Sequence, residues 1–302
     1  MNAGITPGQG KAISPKEIYK KRSQTKEVWH RLKRNKLAVG ALCTLILLVI
    51  IAIFAKQIAP YGYDEQNISI ALNGPGVLPG YPLGTDSLGR DLLSRIIWGT
   101  QVSLRVGVIA VTISAVGGCI LGAIAGFFGS KLDNLIMRCM DILMAIPGIL
   151  LAIAIAATLG PGMTNAIIAV GISGIAGFAR IVRSSVLSVR DMEYIEAARA
   201  INASNSRILI RHILPNIMAP IIVQVTLGFA NAILQAASLS FLGLGAQPPI
   251  PEWGALISGG RSYMRDYGYM VTMPGIAIMI TVFAINLFGD GLRDALDPRL
   301  KH

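Results

Sequence analysis

Long apolar runs alternate with shorter polar segments along most of the chain of 302 residues. The run over 37–58 is almost uninterrupted, and at about 1.5 Å per residue it extends roughly 30 Å, the thickness of the hydrocarbon core of a bilayer. Further apolar runs cover 102–128, 142–160, 165–187, 216–244 and 269–289. The pattern predicts an all-α fold, a polytopic transmembrane helical bundle with about six spans.

Composition and charge agree with a membrane protein and indicate its orientation. Hydrophobic residues make up 53% of the chain and charged residues only 14%, which is too apolar for a soluble domain. The net charge of +11 comes from basic residues concentrated in a tail over 1–36 and at one set of span ends, as the positive-inside rule describes for cytoplasmic segments. Nucleic acid is not expected as a partner, because no basic motif is interleaved with aromatic residues. We therefore expect a basic cytoplasmic tail over 1–36, a membrane domain over 37–302 surrounded by lipid, and both termini in the cytoplasm.

A polar, basic segment over 188–215 interrupts the apolar pattern and lacks the Gly, Ser and Pro run of a passive linker. Its periodicity predicts a helix, a turn and a second helix. An apolar stripe at positions i, i+3, i+4 and i+7 consists of Tyr194, Ala197, Ala198 and Ile201. Asn202 tolerates the left-handed conformation that ends a helix, and Ser204 can cap the next one. Two interpretations stay open: a docking site for another protein, or an amphipathic loop on the lipid surface.

The residues of this segment resemble the EAA signature of the permease subunits of ABC importers. Glu196-Ala197-Ala198 is followed by a turn and then by Leu214-Pro215, and Asn202 stands where the family usually has Gly. The resemblance implies a coupling loop that a cytoplasmic ATPase subunit holds. The residues that it assigns to the loop are Glu193, Glu196, Ala197, Ala198, Asn202, Leu214 and Pro215.

A second signature ends the outer segment, which we place at 59–100. It runs Pro82-Leu83-Gly84-Thr85-Asp86-Ser87-Leu88-Gly89-Arg90-Asp91-Leu92-Leu93-Ser94-Arg95 and resembles that of the C-type permease subunit of dipeptide, oligopeptide and nickel importers. Its acids, Thr and Arg have the chemistry of a catalytic cluster. An Asp that caps a helix and pairs with Arg explains them better, since Asp favours N-caps and Arg90 lies between two acids. We expect a structural role for Gly84, Thr85, Asp86, Gly89, Arg90 and Asp91.

Polar residues on one face of the fifth predicted span are candidates for the wall of a translocation path. Gln224, Asn231, Gln235 and Ser238 fall within roughly 60° of one another at about 100° per residue. Asn286 in the sixth predicted span is a further candidate. Such a face must meet water or polar partners, because polar side chains against lipid are costly. Two interpretations stay open: a wall of the path, or hydrogen bonds that hold helices together.

Two groups of small residues predict close packing between helices. Gly118, Gly122 and Gly126 recur at four-residue spacing in the second predicted span, and Gly171, Gly174 and Gly177 lie in the fourth. Small residues let helix backbones approach where hydrophobic association is absent. We expect both spans inside a bundle, formed either by this chain or with a second one.

The sequence offers no chemistry of its own for catalysis or energy supply. It contains no Gly-x-x-x-x-Gly-Lys-Ser/Thr motif, so it has no P-loop for a nucleotide. Cys43, Cys119 and Cys139 have no metal-ligand spacing, and the three histidines are isolated. We expect no catalytic residue, no cofactor and no metal, with ATP hydrolysed by partner subunits.

The leading hypothesis is a non-enzymatic permease subunit of an ATP-driven ABC importer in the cell membrane of a prokaryote, where it forms half of the translocation pore for di- or oligopeptides. The resemblance implies a second homologous permease chain, two ABC ATPase subunits and an extracytoplasmic peptide-binding protein as partners. Import of nickel or glutathione stays open as an alternative. An ion-driven secondary transporter is disfavoured, because the interiors of the spans carry almost no charge. An intramembrane enzyme lacks a His/Glu or Ser/His pair within the spans.

Overall fold

The computed structural model describes residues 24–296, so most of the predicted basic tail lies outside the described residues. Across 24–296 the chain forms twelve α-helices and no β-strand, which confirms the all-α prediction. They are α1 (Gln24–Arg34), α2 (Lys36–Ile53), α3 (Ala55–Ile58), α4 (Leu92–Phe128), α5 (Ser130–Ala145), α6 (Gly148–Leu159), α7 (Met163–Val189), α8 (Glu193–Ala200), α9 (Asn205–Ile208), α10 (Met218–Phe241), α11 (Trp253–Gly260) and α12 (Tyr269–Leu296).

Five stretches of helix within the described residues are long and apolar enough to cross a bilayer. They are Lys36–Ile53, Leu92–Phe128, Met163–Val189, Asn205–Phe241 and Tyr269–Leu296. Helices α5 and α6 pass the same test together but are bent by 90° at a short break, which brings the count to six if the pair forms one span. The number of helices that are long and apolar enough to span a membrane confirms the predicted polytopic bundle of about six spans.

The third predicted span, 142–160, is not one straight helix. It is divided between the end of α5 and α6, and the break falls at Ile146 and Pro147. Ile146 has an extended backbone, with φ −95° and ψ 128°, because the proline ring disfavours the helical conformation in the residue before it. Helix α6 has only 12 residues and is therefore about 18 Å long, too short to cross a bilayer alone.

Helix α4 spans 37 residues and begins earlier than the apolar pattern indicates. It starts at Leu92, so residues 92–100 of the predicted outer segment are helical. The Oδ2 atom of Asp91 caps this helix by accepting a hydrogen bond from the amide of Ser94 at 2.7 Å. At 1.5 Å per residue α4 is about 55 Å long. It therefore places the outer segment and the loop that contains α8 at opposite ends of the bundle.

Helices α4 and α7 pack closely along the predicted glycine positions. A Cβ atom added to Gly118 would lie 2.2 Å from the Cβ of Phe178, and one added to Gly122 would lie 2.3 Å from the carbonyl oxygen of Ala179. Only glycine permits such an approach of two helix backbones, so the predicted packing is confirmed at these positions. Gly177 differs, because a Cβ atom there would meet nothing within 4 Å, and this glycine faces a cavity instead.

The loop after α8 joins the fifth predicted span through continuous helix. The chain stays helical from α9 into α10, with a π-helical turn over Leu209–Ile213 and a 3-10 turn over Leu214–Ile217 between them. Pro215 lies in the 3-10 turn. Because proline has no N–H to donate and its ring crowds the preceding turn, a local change of helix type accommodates it. The fifth predicted span, 216–244, therefore begins inside a continuous helix and not after a break at Leu214-Pro215.

Candidate functional site

Helices α8 and α9 form the helix, turn and helix that the sequence predicts for 188–215. Asn202 has a positive φ of 57°, the left-handed conformation expected of it. Its amide donates to the carbonyl of Arg199 at 2.9 Å, and the amide of Ala203 donates to the carbonyl of Ala198 at 3.1 Å, the hydrogen-bond pair of a Schellman motif. The side chain of Ser204 then caps α9 as predicted. Asn202 therefore replaces the family's usual Gly without loss of the turn.

One side of α8 packs into the chain. Ile195 is fully buried and Ala198 is 6% exposed, and both belong to an apolar cluster that α7 and the helix after the turn complete. Further members of the cluster are Val182, Val186, Ile208, Ile213 and Ile217. Leu214 packs at its edge, whereas Pro215 is exposed. The cluster fixes the position of α8 relative to the membrane helices.

The opposite side of α8 is exposed and partly apolar, and we call it the docking surface. It consists of Met192, Tyr194, Ala197 and Ile201, on α8 and at its two ends, with the exposed carboxylates of Glu193 and Glu196 beside it. Ile210, in the π-helical turn after α9, is a further exposed apolar residue of the loop. Ile201 is 81% exposed and Ile210 is 65% exposed. Ala198 is the one member of the predicted apolar stripe that is buried, so the stripe divides between the core and the surface. Exposed apolar side chains that lie together are a feature of surfaces that contact another protein or a membrane.

Ion pairs that the sequence analysis did not identify support the loop. The guanidinium of Arg183 on α7 binds both carboxylate oxygens of Asp133 on α5, at 2.5 and 2.6 Å. The Nη1 atom of Arg190 donates to the carbonyl of Gly126 at the end of α4, at 3.0 Å. These contacts tie α4, α5 and α7 together next to α8. The local signals for such pairs were the acids Asp133 and Asp141 in α5 and the arginines Arg180 and Arg183 in α7.

A central cavity of about 310 Å³ lies halfway along the membrane helices, between the break of α5 and α6, α7 and α10. Three of the candidate path residues, Gln224, Asn231 and Gln235, line it together. Ser173 on α7, which the sequence analysis did not select, also lines it, and its hydroxyl lies 3.2 Å from Oε1 of Gln235. All of the side chains that line this cavity are uncharged. Its polar lining therefore consists of amides and hydroxyls.

Two further candidates lie outside the central cavity. Ser238 is exposed on α10 and its hydroxyl donates to the carbonyl of Leu234 at 2.8 Å, within its own helix. Asn286 is half-buried on α12 and does not line the cavity. The helical periodicity of α10 shows which residues share one face of that helix. It does not show which part of the face lies next to a cavity, because that depends on the positions of the neighbouring helices.

Asp86 is the centre of the outer-segment signature. Its Oδ2 atom accepts from Nε of Arg90 at 2.7 Å and from Nη1 of Arg95 at 2.5 Å, and its Oδ1 atom accepts from the amides of Leu88 and Arg90 at 2.9 and 3.0 Å. Burial raises the pKa of this carboxyl, but the charges of Arg90 and Arg95 and the two amide hydrogen bonds outweigh it, so the net pKa is lowered. The sequence placed Arg90 between two acids; in the structure one acid, Asp86, lies between two arginines.

The other residues of the signature shape the backbone around Asp86. Gly84 and Gly89 have positive φ values of 79° and 70°, and a Cβ atom on either would lie within 2.5 Å of a carbonyl oxygen, so only glycine fits there. The hydroxyl of Thr85 donates to the carbonyl of Ile70 at 2.5 Å. The hydroxyl of Tyr269 on α12 lies 2.7 Å from the carbonyl of Thr85. These contacts join the outer segment to the bundle. Among the described residues no group of three or more His, Cys, Asp or Glu could hold a metal.

We expect Asp86→Asn to lower the free energy of unfolding by about 3–5 kcal/mol at neutral pH, because it leaves two buried guanidinium groups without a carboxylate. Since the folded pKa of Asp86 lies below its unfolded value of 3.8, this stability is present above that value and is lost as the pH falls. Denaturant unfolding of the purified chain in detergent micelles measures both effects.

The exposed Asp64 supplies a matched control for this prediction, since it takes part in no ion pair among residues 24–296. We expect Asp64→Asn to change the unfolding free energy by less than about 0.5 kcal/mol. Equal stability of wild type and Asp86→Asn at neutral pH would contradict the structural role of the cluster.

Comparison with known protein families gives two matches in this chain. Residues 118–302 match the model of the binding-protein-dependent transport system inner membrane component. Residues 23–75 match the model of the N-terminal TM domain of oligopeptide transport permease C. The two matches include the first span, the docking surface and every residue that lines the central cavity except Ser114.

Three bacterial permeases are similar to this chain over almost its whole length. The dipeptide transport system permease protein DppC of Alkalihalophilus pseudofirmus is 48% identical, over 95% of this chain and 94% of its own length. The di/tripeptide transport system permease protein DppC of Pseudomonas aeruginosa is 46% identical, over 96% of this chain and 97% of its own length. The glutathione transport system permease protein GsiD of Escherichia coli is 49% identical, over 96% of this chain and 94% of its own length.

A solved structure shares the fold. The inward-facing MetNI methionine ABC transporter contains a chain that superimposes with a TM-score of 0.57 at 19% identity, over 68% of this chain and 98% of that one. Taken with the family models, the bacterial relatives and the helical bundle, this likeness identifies the class of the protein. The chain belongs to the family of inner membrane components of binding-protein-dependent transport systems, as a C-type permease subunit of an ABC importer.

Proposed function

We propose that the chain forms half of the translocation pore of a peptide importer and that the central cavity is part of the path. The observation that supports this most directly is the uncharged lining of that cavity by Gln224, Asn231 and Gln235. Amide groups both donate and accept hydrogen bonds, so they can bind the backbone of a peptide of any sequence. A second homologous permease chain supplies the other half of the pore.

The energy for transport comes from two ABC ATPase subunits, one of which contacts the docking surface. Its exposed apolar residues and the adjacent carboxylates of Glu193 and Glu196 lie on a helix fixed by the buried Ile195. Because α7 leads directly into α8, and α9 continues into α10, a displacement of α8 acts on two helices that line the central cavity. A movement of the coupling loop is therefore transmitted through α7 and α10 to the central cavity. The orientation follows from the basic residues, with the docking surface and both termini in the cytoplasm.

Peptides are the favoured substrate because two of the similar permeases are named for dipeptide and di/tripeptide transport. Glutathione is the second candidate, since the similar permease at 49% identity is named for its transport. An extracytoplasmic binding protein delivers the substrate. Competition between a labelled dipeptide and glutathione for uptake by the complete importer distinguishes the two candidates.

We expect single cysteines at Gln224, Asn231 and Gln235 to react with small water-soluble thiol reagents in the assembled, otherwise cysteine-free importer. Their reactivity should exceed by at least tenfold that of cysteines at Val223 and Leu227 on the same helix, which do not line the cavity. If the three positions react no faster than the two controls in either nucleotide state, their amides hold helices together and do not line a path.

A further inference from the structure

A second cavity, of about 230 Å³, lies at the end of the bundle opposite the docking surface. We call it the outer cavity. It is formed by the outer-segment signature, the start of α4, and the residues around α11. Its charged residues are Asp86, Arg90 and Arg95, and the rest of its lining is uncharged. The ion cluster of Asp86, Arg90 and Arg95 therefore also forms part of the wall of the outer cavity.

The lining of the outer cavity has an excess of positive charge. Two guanidinium groups, those of Arg90 and Arg95, share the single Oδ2 atom of Asp86. Two positive charges and one negative charge leave a net charge of +1 on the lining. The carboxylate of Asp91 does not belong to the lining, and one of its oxygens caps α4. The buried Asp91 offsets the positive charge of the lining from outside it, so the excess charge is confined to the groups that line the cavity, where it favours a bound anion over a cation.

Both arginines retain hydrogen-bond donors that no group of the described chain satisfies. Arg90 is 9% exposed, and only the Nε atom of its guanidinium has an acceptor, so both Nη atoms are left without one in residues 24–296. Arg95 is 7% exposed, and its buried Nε atom has no partner. The Nη atoms of Arg90 are therefore open to a ligand or solvent in the outer cavity, whereas the Nε atom of Arg95 is an unpaired donor enclosed in the wall.

We propose that the outer cavity binds the terminal carboxylate of an incoming peptide, with the two Nη atoms of Arg90 as donors and Arg95 as supporting charge. A guanidinium group matches a carboxylate in geometry and binds it through two parallel hydrogen bonds. The inference rests on the proposed function, because it takes the end of the bundle away from the docking surface as the side where substrate arrives.

The dimensions and charge of the outer cavity select among ligands. Its volume of about 230 Å³ is below the range of pockets that enclose whole small-molecule ligands, so it accommodates one end of a peptide. A free carboxyl end is common to peptides of every sequence, and the site therefore recognises the class without reading side chains. A bare divalent metal cation is disfavoured by the net positive charge.

Binding of radiolabelled Ala-Ala to the complete importer, reconstituted without its binding protein, tests this proposal. We expect measurable binding at millimolar concentration or below, and we expect Ala-Ala amide, which lacks the carboxylate, to compete at least tenfold more weakly than unlabelled Ala-Ala. Arg90→Lys keeps the charge but loses the paired donors, so we expect it to weaken Ala-Ala binding at least fivefold.

A cavity-filling variant keeps the test independent of the ion cluster. Gly259 lines the outer cavity, and a Cβ atom there would meet nothing within 4 Å, so Gly259→Leu adds side-chain volume at the cavity without replacing Asp86 or Arg90. We expect it to reduce Ala-Ala binding at least tenfold. Gly275→Leu on α12 is the matched control, because its Cβ atom also meets nothing within 4 Å but lies outside the cavity.

Three results would overturn the inference: no binding at millimolar peptide, equal competition by the amide, or equal binding by the Gly259 and Gly275 variants. Loss of ATPase stimulation by the binding protein in Gly259→Leu, with unchanged peptide binding, would assign the cavity to an acidic group of another subunit. The proposed function has separate readouts, because it fails if the wild-type importer with its binding protein takes up no peptide, or if the cysteines in the central cavity react no faster than their controls.

Discussion

An Ala197→Trp importer is expected to insert and fold normally but to lose ATP-driven uptake of peptide. Ala197 is exposed on α8, beside Tyr194 and Glu193, and its side chain does not contribute to the cluster that fixes the helix. An indole at this position projects from the docking surface and keeps an ATPase subunit from close contact. We expect binding of the ATPase subunits to weaken by at least about 2 kcal/mol, roughly thirtyfold.

Ala198→Trp is the informative comparison, because the two alanines are adjacent in the signature and differ in the structure. Ala198 is 6% exposed and packs in the cluster with Ile195, so an indole there should destabilise the chain itself by more than about 2 kcal/mol. Ala197→Ser preserves size and should transport normally. Co-purification of the ATPase subunits and denaturant unfolding separate the two effects. Normal uptake by Ala197→Trp in a complete importer would show that this face does not dock.

Filling the central cavity should also abolish uptake. Gly177 lies on α7 in the cavity wall, and a Cβ atom there would meet nothing within 4 Å. A leucine at this position therefore adds side-chain volume to the cavity that Gln224, Asn231 and Gln235 also line, and its Cβ atom displaces no neighbour. Leucine has a higher helix propensity than glycine by up to about 1 kcal/mol, so the stability should not fall. We expect peptide uptake to decrease at least tenfold while the importer still assembles.

Gly40→Leu on α2 is the control for this experiment, since its Cβ atom also meets nothing within 4 Å and it does not line the cavity. Uptake into proteoliposomes, divided by the amount of assembled importer, gives the comparison. Equal uptake by the Gly177 and Gly40 variants would place the peptide path elsewhere, against another chain of the complex.

The fold class and the positions of most membrane helices could be predicted because they depend on local sequence. An apolar run long enough to cross a bilayer must form a helix there, since its backbone groups have no other hydrogen-bond partners in hydrocarbon. The turn at Asn202 was predictable for a similar reason, because few residue types adopt a positive φ. The break at Pro147 also has a local cause, but the continuous hydropathy of the run 142–160 concealed it.

Local sequence was sufficient to predict the helical bundle and the loop that contains α8, and it contains the family signatures. Packing between helices sets the exposure of Ala197 and the burial of Ala198, and it pairs Asp86 with Arg95 as well as Arg90. It also brought Ser173 of α7 to Gln235 of α10, 62 positions apart in the chain. Such pairings depend on which faces of separate helices meet, and a periodic pattern within one helix has no information about the position of its neighbours.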